Sequence, residues 1–221
     1  MEASRDATDW ENVLQAAAQF AKEELGDDRS GHDWWHTHRV VTMARKLSRL
    51  EGADQRLSAA AAWLHDVADE KLNPSKEAGL QKVKNWLEEQ PISEVDSRHI
   101  MEIISTMSYN AGSNPPMRTL EGKVVQDADR LDAIGAIAIA RTFVYAGWKG
   151  DPIYDPDIEP RISMTSEEYR NGKSPAVNHF YEKLLKLKDL MNTATARSIA
   201  EERHRYMEEF LARFHIEWSG E

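Results

Sequence analysis

The sequence predicts an all-helical domain. Apolar residues recur at three- and four-residue spacing along nearly the whole chain, which is the period of an α-helix. Strand-like alternation is absent over any useful length. Gly, Pro and Asn cut the pattern into pieces of helical length.

Val13, Leu14, Ala17, Ala18, Ala21 and Leu25 mark a first helix over about 10–25, ended by Gly26. A polar turn follows at 27–31. A second helix is expected over about 34–50, stopped by Gly52. A third, over about 54–69, is rich in alanine, so its neighbours approach closely. Asn73-Pro74 breaks the pattern. Helices are then expected at about 75–89, with Leu80, Val83 and Leu87 on one side, and at about 92–108, with Ile100, Ile103, Ile104 and Met107 inward. After a loop at 110–116, one long helix runs from about 119 to 145. The stretch 147–174 carries Pro152, Pro156 and Pro160 and the turn signal Asn171-Gly172. A loop of that length is a lid, a binding loop or a disordered segment. Two helices, about 176–191 and 193–215, close the chain as a hairpin on the first six. The expected organisation is one domain over 1–221.

With 221 residues, 30% charged and 41% hydrophobic, the chain has enough apolar material for one good core. No apolar run approaches the roughly 20 residues that span a bilayer. The first residues lack signal-peptide blocks, so a cytoplasmic protein without membrane partners is expected. There is no cysteine, which excludes disulfides, thiol catalysis and cysteine metal sites. The net charge of -10 disfavours broad nucleic-acid binding. A small phosphate ester is still admissible, because a metal and a few basic side chains set the local field.

Trp63-Leu64-His65-Asp66-Val67 places a His and an Asp side by side in an apolar segment. Burying either costs free energy unless something pairs with it. Taken alone, the dipeptide reads more readily as a core His bonded to a carbonyl. Two other features change the balance. His36 opens an amphipathic helix with Val40, Met43, Ala44 and Leu47. Downstream, Gln126-Asp127-Ala128-Asp129-Arg130-Leu131-Asp132 gathers carboxylates, with Asp129 and Asp132 on one face and Asp127 on another. Two imidazoles and two carboxylates suit a six-coordinate divalent ion, Mn²⁺ foremost, with Mg²⁺, Fe²⁺ or Ni²⁺ as alternatives.

In this order, His36, then His65-Asp66, then Asp129 in an Ala-Asp-Arg context, the chain resembles the HD-domain superfamily of metal-dependent phosphohydrolases. The motif core covers about 31–145. The whole chain is similar to small bacterial HD proteins that share Gly31-His32-Asp33, residues 127–133 and residues 179–190. The resemblance implies an HD helical bundle with His36, His65, Asp66 and Asp129 as metal ligands. It also implies cleavage of nucleoside triphosphates to monophosphate and pyrophosphate, by attack of a metal-activated water on the α-phosphorus.

Asp69 lies three residues after Asp66 and four after His65, on the same face of the expected helix. By that resemblance Asp69 or Glu70 handles the attacking water; the alternative is a solvated or capping acid. Asp33 is read as an N-cap, and His32 as reaching substrate. His99 either points into the site or is partly exposed. His179, Lys183 and Lys186 occupy i, i+4 and i+7, a single helical stripe that reads as a phosphate clamp. Arg130, Asp132 and Arg197 complete the substrate-binding set. The alternatives are a phosphomonoesterase or phosphodiesterase on another nucleotide, or a non-catalytic nucleotide or metal sensor. The sequence does not set the oligomeric state; a homodimer is the assembly considered.

Overall fold

Every regular element among the described residues is a helix. The computed structural model describes residues 9–26, 33–70, 72–107, 116–161 and 174–221. Helices α1 (Trp10–Leu25), α2 (Trp34–Glu51), α3 (Gln55–Leu64), α4 (Lys76–Glu88) and α5 (Glu94–Thr106) come first. Then follow α6 (Leu120–Asp132), α7 (Ala136–Lys149), α8 (Ala176–Glu182), a 3-10 segment (Leu184–Leu190) and α9 (Ala194–Ser219). No single helix among the described residues is long and apolar enough to cross a membrane.

The chain forms two compact units, Met1–Ser108 with Met117–Val125, and Tyr109–Pro116 with Gln126–Glu221. In the first, α3 is the hub and packs against α1, α2 and α5. Its alanines, Ala59 to Ala62, are all buried, which lets three neighbours approach one helix. In the second, α9 packs on α7 and on the 3-10 segment, and Phe143, Phe180, Phe210 and Phe214 form a chain of ring contacts.

Three expected helices differ from those observed, each for a local physical reason. The third ends at Leu64 rather than 69, and His65 to Ala68 form a turn. Asn73 holds that turn, its side-chain amide donating to the carbonyls of Val67 and Asp69, both at 2.8 Å. The long helix expected over 119–145 breaks before Gly135, and α6 and α7 meet at 65°. Gly135 sits at φ 90°, which favours glycine, and the Arg203 side chain fills the space where a Cβ would lie. The helix expected over 176–191 stops at Glu182, because Lys183 leaves helical geometry at φ -136° and a 3-10 segment follows. The loop also starts later than expected, since α7 continues to Lys149, and α9 runs on to Ser219.

Gly79 brings α4 onto the turn after His65-Asp66. A Cβ there would lie 2.5 Å from the Ala68 carbonyl oxygen. Alanine is the better helix former by about 1 kcal/mol, but a clash with backbone costs about 1–3 kcal/mol. With two backbone atoms of Ala68 at 2.5 and 2.8 Å the clash falls in the upper part of that range, about 2–3 kcal/mol. Gly79→Ala is therefore expected to lose about 1–2 kcal/mol net in urea unfolding, the reverse of what helix propensity alone gives. An unchanged or raised midpoint would show that α4 does not press on this turn.

Candidate metal centre

Local structure sets each ligand in turn. Asp33 is the N-cap of α2, and its carboxylate accepts the His36 amide at 2.8 Å. His36 thus sits in the first turn, 2% exposed. His65 caps the end of α3, where the last carbonyls lack intrahelical partners. Its Nδ1 lies 2.8 Å from the Ala62 carbonyl oxygen. A carbonyl only accepts, so Nδ1 carries the proton in the neutral ring and Nε2 carries the lone pair. On the far side of these segments Trp34 stacks on Trp63, with centroids 4.9 Å apart. Each indole lies two residues before one of the histidines.

The three side chains converge. His36 Nε2 is 3.3 Å from one Asp66 oxygen and His65 Nε2 is 3.2 Å from the other. All three residues are buried, and one ligand atom from each lies within 4.8 Å of the others. A lone pair on His65 Nε2 facing a carboxylate oxygen is repulsive unless a proton or a cation lies between them. The donor set therefore fits a divalent ion, with the Ala62 bond fixing the ring as outer partners of metal-bound histidines do.

The other expected site residues are placed as follows. Asp129 is half-buried on α6. Asp127 accepts from the amide and side chain of both Asn192 and Thr193. Asp132 pairs with Arg141 at 2.7 Å. Asp69 is half-buried and Glu70 exposed, and the end of α3 at Leu64 removes the shared helical face expected for Asp69, His65 and Asp66. His99 contacts the Thr119 hydroxyl at 2.9 Å and lies 3.7 Å from Glu121. Arg130 donates to the Leu190 carbonyl, and Arg197 to those of Met191 and Asn192. His32 lies outside the described residues. Sequence reasoning missed the structural roles of Asn73 and Gly79, whose only signals were a turn residue and a glycine within a helix.

The break at Lys183 also corrects the expected stripe. His179 sits on α8, whereas Lys183 and Lys186 follow its end, so the three do not share one continuous helix face. Burial, with help from the Lys183 charge, pushes the His179 imidazole from an ordinary 6.5 down to about 3. His179 is therefore neutral at pH 7 and adds no positive charge. The sign of its linkage follows. Below 6.5 the unfolded chain binds a proton that the folded chain refuses until about 3. Stability from this group is full above pH 6.5 and is lost as the pH falls toward 3. His179→Gln should flatten that acid limb in thermal melts; an identical pH profile would refute it. Nearby, burial alone would raise the Glu182 carboxyl, but Arg161 and Ser174 outweigh it and hold the group below the usual range.

Comparison with known proteins agrees with this geometry. The HD domain family matches residues 34–134. Bacillus subtilis YpgQ is 39% identical over 190 residues, 85% of this chain and 84% of that protein. A solved Lactobacillus plantarum protein superposes with a TM-score of 0.84 at 46% identity, over 96% of this chain and 99% of that one. An HD-superfamily hydrolase from Bacillus thuringiensis gives 0.77 at 50% identity, over 96% and 100%. The crystal structure of YpgQ in complex with ADP gives 0.75 at 36% identity, over 92% and 97%. The ordered His36 and His65-Asp66 set, the helical fold and these likenesses show that the chain belongs to the HD superfamily of metal-dependent phosphohydrolases.

Proposed function

We propose that this protein hydrolyses nucleoside triphosphates to nucleoside monophosphate and pyrophosphate, with a divalent cation, Mn²⁺ foremost, held by His36, His65, Asp66 and Asp129. The observation that carries the reading is the buried convergence of His36, His65 and Asp66. Asp129 is assigned as fourth ligand from its context, because Ala128-Asp129-Arg130 matches the pattern around the last metal-binding Asp of the HD family. When bound, such a cation acts as a Lewis acid on phosphoryl oxygen and lowers the pKa of water.

The chain's own residues supply the rest. Asp69 or Glu70 takes the proton from the attacking water. Lys183 and Lys186, both half-buried, neutralise the departing pyrophosphate. Neutral His179 offers a hydrogen bond rather than charge. The complex of YpgQ with ADP supports a nucleotide as the ligand class.

The test is product analysis after incubation with deoxy- and ribonucleoside triphosphates and Mn²⁺. Monophosphate and pyrophosphate in equal amounts are expected. Inorganic phosphate without pyrophosphate would turn the reading toward a phosphomonoesterase. Metal bound without turnover of any nucleotide would turn it toward a sensor.

A further inference from the structure

The metal centre draws its histidines from two helix ends. His36 lies in the first turn of α2, and His65 caps α3. Ends are the least fixed part of a helix, because their outer backbone groups lack intrahelical partners. On α2 the first buried aliphatic side chain is Val40, one turn past His36. A helix rotation of about 10° moves a ring nitrogen, about 6 Å from the axis, by about 1 Å. Metal–ligand distances hold to within about 0.2 Å. Rotational play at these two ends would therefore scatter the ligands.

Residues two apart on a helix point about 200° apart. Trp34 and Trp63 each precede a histidine by two, so the indoles lie on one side of the α2–α3 seam and the imidazoles on the other. The indoles stack with centroids 4.9 Å apart and planes 12° from parallel. Across the seam the His36 and His65 rings meet edge to face at 5.6 Å. Trp63 is buried and Trp34 half-buried. The Lys22 ammonium, from α1, lies 5.8 Å over the Trp34 ring, within reach of its π face. The exposed His38 ring borders both indoles at 6.1 Å. Stacked flat rings have a preferred mutual geometry that rounded aliphatic side chains lack.

We propose that the Trp34–Trp63 stack is the positioning element of the metal centre. It fixes the rotation of the first turn of α2 against the end of α3. It thereby keeps the His36 and His65 Nε2 atoms facing Asp66, at 3.3 and 3.2 Å from its two oxygens. Both indoles act through the histidine two residues on, not as ligands. Asp33 and the Ala62 carbonyl each fix one histidine, whereas the stack sets the two relative to each other. The inference rests on the metal reading of this site and is independent of the substrate.

Calorimetric titration with Mn²⁺ tests it, with urea unfolding in chelator as the measure of fold. Trp34 is half-buried in a first turn, so its replacement leaves the core closed. Trp34→Leu keeps an apolar side chain without a flat face, and should weaken Mn²⁺ binding by about tenfold or more. Trp34→Phe keeps a ring that stacks, and should recover most of that loss, while the two variants unfold at similar urea concentrations in chelator. Trp35→Ala is the control. Its indole is 63% exposed and meets His38 edge-on, and Mn²⁺ affinity should match that of the parent. Parental affinity in Trp34→Leu overturns the proposal, as does a Trp34→Phe variant that falls as far as Trp34→Leu. A parent that binds no Mn²⁺ overturns the metal centre itself, and the proposal with it.

Discussion

Asp66→Asn is expected to lower divalent-metal affinity by at least about a hundredfold and to take hydrolysis to background, while the helical spectrum is kept. Asp66 is the only anionic member of the buried cluster, and its two oxygens face the two histidine Nε2 atoms at 3.3 and 3.2 Å. The amide has nearly the same shape, so packing around His36 and His65 survives. It removes the negative charge and turns one oxygen into a donor that no cation accepts. Changing an outer partner of a ligand already costs about 10- to 100-fold in metal affinity, so loss of a carboxylate ligand should exceed that. Titration calorimetry with Mn²⁺ reads the binding arm independently of any substrate. A variant that keeps both metal and turnover would remove Asp66 from the centre. Asp129→Ala puts the same question to the assigned fourth ligand, with the same two readouts.

The helices were legible because burial on one face imposes a period, and the period survives without knowledge of the partner. Val40, Ala44 and Leu47, for example, are buried on α2 as their spacing implies, whereas Met43 is only half-buried and Val41 is buried in addition. The ends were less legible. Nothing in Trp63 to Ala68 breaks a helix, and α3 stops there because Asn73, several residues on, binds the turn. Lys183 is equally ordinary as a sequence feature, yet it divides the expected basic stripe. Gly135 was visible as a glycine, but its positive φ is tied to Arg203, 68 positions later. At the site, His36, His65 and Asp66 stood out because polar groups in apolar helices require partners. That they would be one another's partners is a fact of tertiary packing, which only their order in the chain hinted at. The tautomer of His65 was beyond reach, since it depends on where α3 ends.

Asp127→Ala is expected to cost about 3–5 kcal/mol of stability, in the range of breaking a buried, charge-assisted network. Asp127 is fully buried, and it accepts four hydrogen bonds of 2.8 Å, from the amides and side chains of Asn192 and Thr193. Thr193 is in turn the N-cap of α9, with its hydroxyl accepting the Ala196 amide. One carboxylate therefore fixes the start of the longest helix against α6. Truncation orphans four donors at once, and each buried one costs about 1–3 kcal/mol, not additively. Asp127→Asn should recover little, because its amide group would face donors where an acceptor is needed. Urea unfolding reads the loss, and a chelator decides its origin. A structural carboxylate gives the same loss with Mn²⁺ and with chelator. A metal ligand gives a loss that shrinks once the ion is removed from both proteins, and that outcome would reverse the choice of Asp129 over Asp127.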